Sequence, residues 1–122
     1  MPAEYRIDLS KRIVYSRAWG VLTDRELADN RAALFADPAF APDLSQLYDF
    51  TGVTELGIAA TTLAGLAKSS RFSPNTRRAV VVGSDEAFGM ARMYAILSDR
   101  EETIQVFRDR ASAVRWLESV SA

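Results

Sequence analysis

The segment Leu47-Tyr48-Asp49-Phe50-Thr51-Gly52 sets a carboxylate, a hydroxyl and a glycine at the end of an apolar run. The Thr51 hydroxyl could receive a phosphoryl group or help hold an anion. The same atoms can equally satisfy backbone N–H groups of a turn, with Gly52 supplying a backbone angle that other residues resist. Gly83-Ser84-Asp85 is a second place of interest, where a strand hands over to a helix and free N–H groups can hold a phosphate or carboxylate. There Asp85 and Glu86 would repel an anion, and Ser84 can serve simply as a helix cap. Arg92 is a further candidate partner for a carboxylate, inside the protein or on a ligand.

Few other chemistries are open to this chain. It contains no histidine and no cysteine, which removes imidazole and thiolate metal sites and the nucleophilic triads built on those residues. A general acid or base would have to be a carboxylate, lysine or tyrosine moved towards neutrality by burial. We therefore expect a non-enzymatic protein with no catalytic residues, no metal and no cofactor. Net charge is −1, with acidic and basic residues interleaved, so no field spans the domain to attract nucleic acid. Lys68, Arg71, Arg77 and Arg78 flank a polar loop and read as solvated surface charge. No apolar run approaches the ~18–20 residues of a membrane span, and the N-terminus lacks a secretory pattern. A single cytoplasmic domain over 1–122 is expected.

The elements that would position these residues follow from hydrophobic periodicity. Tyr5, Ile7 and Leu9 alternate with Arg6 and Asp8, and Arg12–Trp19 is rich in β-branched and aromatic residues, so the two make a hairpin. Thr23-Asp24-Arg25-Glu26 matches a capping box. Its helix turns Leu27, Leu34 and Phe35 inwards and stops before Pro38, with Phe40 as a plug into the core. Leu44–Phe50 is a strand and Ile58–Lys68 a helix. Ala79-Val80-Val81-Val82 is a central strand, Ser84 opens a helix to about Ser98, Thr103–Phe107 is the last strand, and Asp109 caps a final helix. The order β-β-α-β-α-β-α-β-α demands an α/β domain whose five-stranded mixed sheet is flanked by about four helices. Trp19 and Trp116 fall where packing anchors are expected.

These stretches resemble the SpoIIAA-like (STAS-type) family, especially its small bacterial branch, whose fold is compared with both STAS and CRAL-TRIO lipid-binding domains. The resemblance rests on Leu34–Phe40 with Pro42, Leu47–Leu56, Phe72-Ser73-Pro74 with Arg77-Arg78, and Ser84-Asp85 followed by Ala87–Tyr94. In better-known members the third strand ends in Asp-Ser-Ser/Thr-Gly, and the hydroxyl before the glycine is phosphorylated by a partner kinase. That pattern implies Thr51 as the switched hydroxyl, with Asp49 and Gly52 as the motif's acid and glycine. Phe50 departs from it, standing where a small hydroxyl residue belongs.

Two functions follow as expectations, with a carboxylate-based enzyme as the third. The first is a regulatory or protein-interaction module with a protein partner of regulator or kinase type. The helix bearing Met90, Met93, Tyr94 and Leu97 is apolar over more than one face, which suits a homodimer contact. The second is a binder of an apolar, lipid-like small molecule whose cavity lies beside that helix. An enclosed cavity of ~300 Å³ or more separates them in favour of the second.

Overall fold

The computed structural model describes residues 2–119. β1 (Ala3–Asp8) and β2 (Ile13–Thr23) form an antiparallel hairpin in which Ala3 faces Ala18 and Asp8 faces Ile13. Its turn holds Arg12 in the left-handed region at φ 56°. Next come α1 (Asp24–Ala36), β3 (Ser45–Gly57), α2 (Ala60–Lys68), β4 (Arg78–Val81), α3 (Asp85–Leu97), β5 (Ile104–Phe107) and α4 (Arg110–Glu118). The expected α/β order holds throughout.

The strands lie in the sheet in the order β1-β2-β3-β4-β5, and β2 to β5 are mutually parallel. Crossovers between parallel strands are right-handed. When successive strands always step to the same side, every crossover helix must lie on one face. Hence α1, α2 and α3 share a face, and only α4, which follows the last strand, covers the other by packing on β3, β4 and β5. Leu47, Ala79 and Val81 meet Ala113 and Leu117 of α4 in a filled core, with Phe107 and Trp116 beside it.

The three-helix face is packed less evenly. Val14, Leu34, Leu44 and Phe72 form one cluster near α1. Phe40 plugs it as expected, with its ring 5.0 Å from Phe35 and 5.2 Å from Phe72. Ala87 and Ala91 seat α3 on Val82. α2 makes its main packing contact with α3 and touches the sheet little, so it stands off from the strands.

Local capping follows the sequence. The Thr23 N–H donates to Glu26 Oε1 at 2.9 Å, the reach-back half of the capping box. Asp109 accepts from the Ser112 N–H at 2.8 Å and starts α4.

β3 differs from expectation. It does not stop at Phe50 but continues to Gly57, because β2 runs on to Thr23 and offers it a partner after β4 has ended at the Asp49–Val81 pair. Between Arg17–Asp49 and Trp19–Gly52 the β3 chain carries one extra residue. Phe50 and Thr51 therefore lie opposite the single residue Ala18 in a β-bulge rather than a strand-ending turn, and Gly52 resumes the register opposite Trp19. Gly52 supplies space, not an unusual angle. A Cβ there would lie 3.0 Å from the Trp19 Cβ, tighter than most such contacts, so Trp19 would have to give way. The positive-φ glycine is Gly20 of β2, at φ 66°.

Candidate functional site

The gap between α2 and the sheet is a cavity of about 100 Å³. Strand alternation sets its floor. Gln46, Tyr48 and Phe50 of β3 and Arg78 and Val80 of β4 face it, while Leu47, Ala79 and Val81 point to α4. Leu63 and Leu66 of α2 form the roof, and Met90, Ala91 and Tyr94 of α3 form a wall. Leu27, Asn30, Arg31 and Leu34 of α1 close the opposite side.

A polar network crosses this apolar shell. Gln46 Nε2 donates to Ser16 Oγ at 3.1 Å, and Arg78 Nε donates to Gln46 Oε1 at 3.2 Å. Arg78 Nη2 donates to the Tyr94 hydroxyl at 3.1 Å, and its guanidinium lies 4.3 Å from the centre of the Phe72 ring. Arg31 Nη1 donates to the Leu66 carbonyl, tying α1 to α2. Asn30 donates to the Tyr48 hydroxyl at 3.1 Å.

Two atoms are left over. Arg78 Nη1 and Arg31 Nη2 are buried and find no acceptor among the described residues. Arg78 is only 8% exposed, and none of the residues lining the cavity is a carboxylate. Buried cations are ordinarily paired, since an uncompensated one forfeits hydration for nothing.

The phenols register this charge. Burial pushes Tyr94 up, but Arg78 and Arg31 overcome it and hold the phenol below its usual 10.0. Tyr48 lacks such help. Burial raises it to about 12, against a weaker opposing effect of the Asn30 hydrogen bond. Burial lowers Arg31; Tyr94 opposes that shift and the Arg78 charge adds to it.

Of the residues singled out from sequence, Met90 and Tyr94 line the cavity. Met93 and Leu97 do not. They are 48% and 42% exposed and form an outer strip with Ile96, 52% exposed. The apolar surface of α3 thus runs from the cavity wall out to this exposed strip. Ser84 is a cap, its Oγ accepting from the Ala87 N–H at 3.1 Å, and Arg92 lies 4.0 Å from Glu101. Neither belongs to the cavity. Thr51 is exposed; its N–H and hydroxyl donate to Asp49 Oδ1 at 2.8 and 2.6 Å, and Arg110 lies 3.7 Å from the same carboxylate.

Arg78 corrects the expectation of solvated surface charge. Its neighbours in sequence fare differently: Arg77 donates to the Trp116 carbonyl at 2.8 Å, and exposed Arg71 to that of Phe35 at 2.7 Å. Two spacings do carry the signal for this inward-facing pair. Arg78 shares its strand face with Val80, and Arg31 falls between Leu27 and Leu34 on the inward stripe of α1.

The architecture has a solved counterpart. It is a protein of the DUF3478 family from Shewanella loihica PV-4, described as uncharacterised and as having a SpoIIAA-like fold. The two share 19% identity and superpose with a TM-score of 0.61, over 94% of this chain and 93% of that one. This chain has the SpoIIAA-like fold. No family model matches the sequence, and no curated protein does. Among the described residues no helix of the SpoIIAA-like domain is long and apolar enough to cross a membrane.

Proposed function

We propose that this SpoIIAA-like domain is a non-enzymatic binding module that takes a small molecule into the cavity between α2 and the sheet. The observation that carries this is the cavity itself, walled by Leu63, Leu66, Met90 and Val80 in an otherwise close-packed fold. At about 100 Å³ it is smaller than the ~300 Å³ of a drug- or lipid-sized pocket. The guest is therefore compact rather than lipid-like.

Xenon tests whether the cavity admits a guest, since it enters apolar cavities of this order. Xenon pressure is expected to shift the methyl resonances of Leu63, Leu66 and Met90 selectively. Val80→Phe places a ring over the cavity floor. It should abolish those shifts and raise stability by roughly 1 kcal/mol, within the ~2 kcal/mol that filling such a volume can return. Unchanged methyl shifts in the wild type would dismiss the binding role.

The outer strip of Met93, Ile96 and Leu97 favours a second role, as a protein-interaction module that pairs with a copy of itself. On that reading the wild type sediments as a dimer and Leu97→Asp as a monomer. A monomeric wild type would remove it. The family pattern would add a switch at Thr51. Its exposed hydroxyl is open to a kinase, and a phosphate there would stand beside Asp49 and within the field of Arg110.

A further inference from the structure

Resting on the binding role above, we propose that Arg31 and Arg78 form a head-group site for a monocarboxylate whose short apolar body lies against Leu63, Leu66, Met90 and Val80. Each guanidinium is anchored to the protein through part of its nitrogens. Arg78 holds Gln46 and the Tyr94 hydroxyl, and Arg31 holds the Leu66 carbonyl. Each keeps one buried nitrogen without an acceptor among the described residues, Arg78 Nη1 and Arg31 Nη2. A carboxylate offers two oxygens, one to each such nitrogen, through charge-assisted hydrogen bonds.

Size and charge narrow the ligand further. A cavity near 150 Å³ holds benzene, so about 100 Å³ suits a body of only a few carbons. A phosphate head group is bulkier than a carboxylate and would take up most of that volume, leaving little room for an apolar body. A neutral guest would leave both cations as they stand. Fixing the guanidiniums before binding also reduces the ordering that binding must impose. The stack of Arg78 on Phe72 and its bond to Tyr94 do this for one of them, and the Leu66 carbonyl does it for the other.

The test compares isobutyrate with isobutyramide, which has the same shape and no charge, by NMR titration of the full chain. Isobutyrate is expected to bind at least about tenfold more tightly, the margin of a charge-assisted hydrogen bond over a neutral one. Arg78→Met and Arg31→Met should each erase that margin while xenon still enters the cavity. Across straight-chain carboxylates from acetate to octanoate, affinity should peak at a short chain. Equal binding of acid and amide by the wild type would overturn the head-group site and leave the cavity's binding role intact. Exclusion of xenon and both compounds would overturn the two together. The acid-against-amide comparison needs only the wild type, so it decides even where a variant fails to fold.

Discussion

Leu47→Ala is expected to lower the free energy of unfolding by about 3–5 kcal/mol. Leu47 is 1% exposed on the third of five strands, wedged between Ala79, Val81 and the Ala113–Leu117 face of α4. Several of its neighbours are alanines and valines of the sheet and of α4, which cannot swing into the space the leucine leaves. The cost therefore sits at the upper end of the ~2–5 kcal/mol range for leucine truncation, where the cavity persists. Against a total of roughly 5–15 kcal/mol for a domain of this kind, the midpoint of thermal unfolding should fall by roughly 10–20 °C. Denaturant unfolding with an unchanged m-value would confirm a loss of stability rather than of compactness. A loss under 1 kcal/mol would mean that α4 repacks freely, contrary to the close fit described.

The second large effect is alkaline. Tyr48 titrates at about 12 in the folded protein because burial disfavours its phenolate, whereas an unfolded tyrosine titrates near 10. A group whose folded pKa is raised contributes fully below the unfolded pKa and loses that contribution as pH climbs through the folded one. Stability should thus decline from about pH 10 to about pH 12, by roughly 3 kcal/mol in total. Tyr94 acts in the opposite sense, because Arg78 and Arg31 hold its phenol below the ordinary value despite burial. Its phenolate would offset part of the loss. Urea unfolding at pH 9 and pH 11.5 measures the difference, and Tyr48→Phe should flatten it. Tyr48→Phe also strips Asn30 of its acceptor, so its stability at pH 9 should already be lower by ~1–3 kcal/mol. An equal alkaline decline in both proteins would assign it to other groups.

Much of this architecture could be read from sequence because its local signals agree with one another. The alternation of Tyr5 and Ile7 with Arg6 and Asp8, the Thr23–Glu26 box, the stop before Pro38 and the Asp109 cap each specify one element boundary. Two things were hidden. β3 past Phe50 was hidden because a bulge at Thr51 interrupts its period of two, and its continuation depends on how far β2 extends. The cavity was hidden because it arises from how far α2 stands from the sheet, which no local pattern encodes. The arginines follow from that. Residues 78 and 80 share a face, as do 27, 31 and 34, but charge argued for the surface and the room inside was invisible. The apolar surplus of α3 was legible, whereas its division into an inner Met90–Tyr94 wall and an outer Met93–Leu97 strip came only with the fold.

The strand order has a kinetic side as well. Because β1 to β5 lie in the sheet in the order in which they occur in the chain, no strand has to be threaded between two that are already paired. Each βα unit can dock on the growing edge left by the one before it, closing only its own short loop. A chain built this way can assemble from its N-terminus as it leaves the ribosome. α4 comes last and seals the face that holds Leu47, so this buried layer is also the last to close.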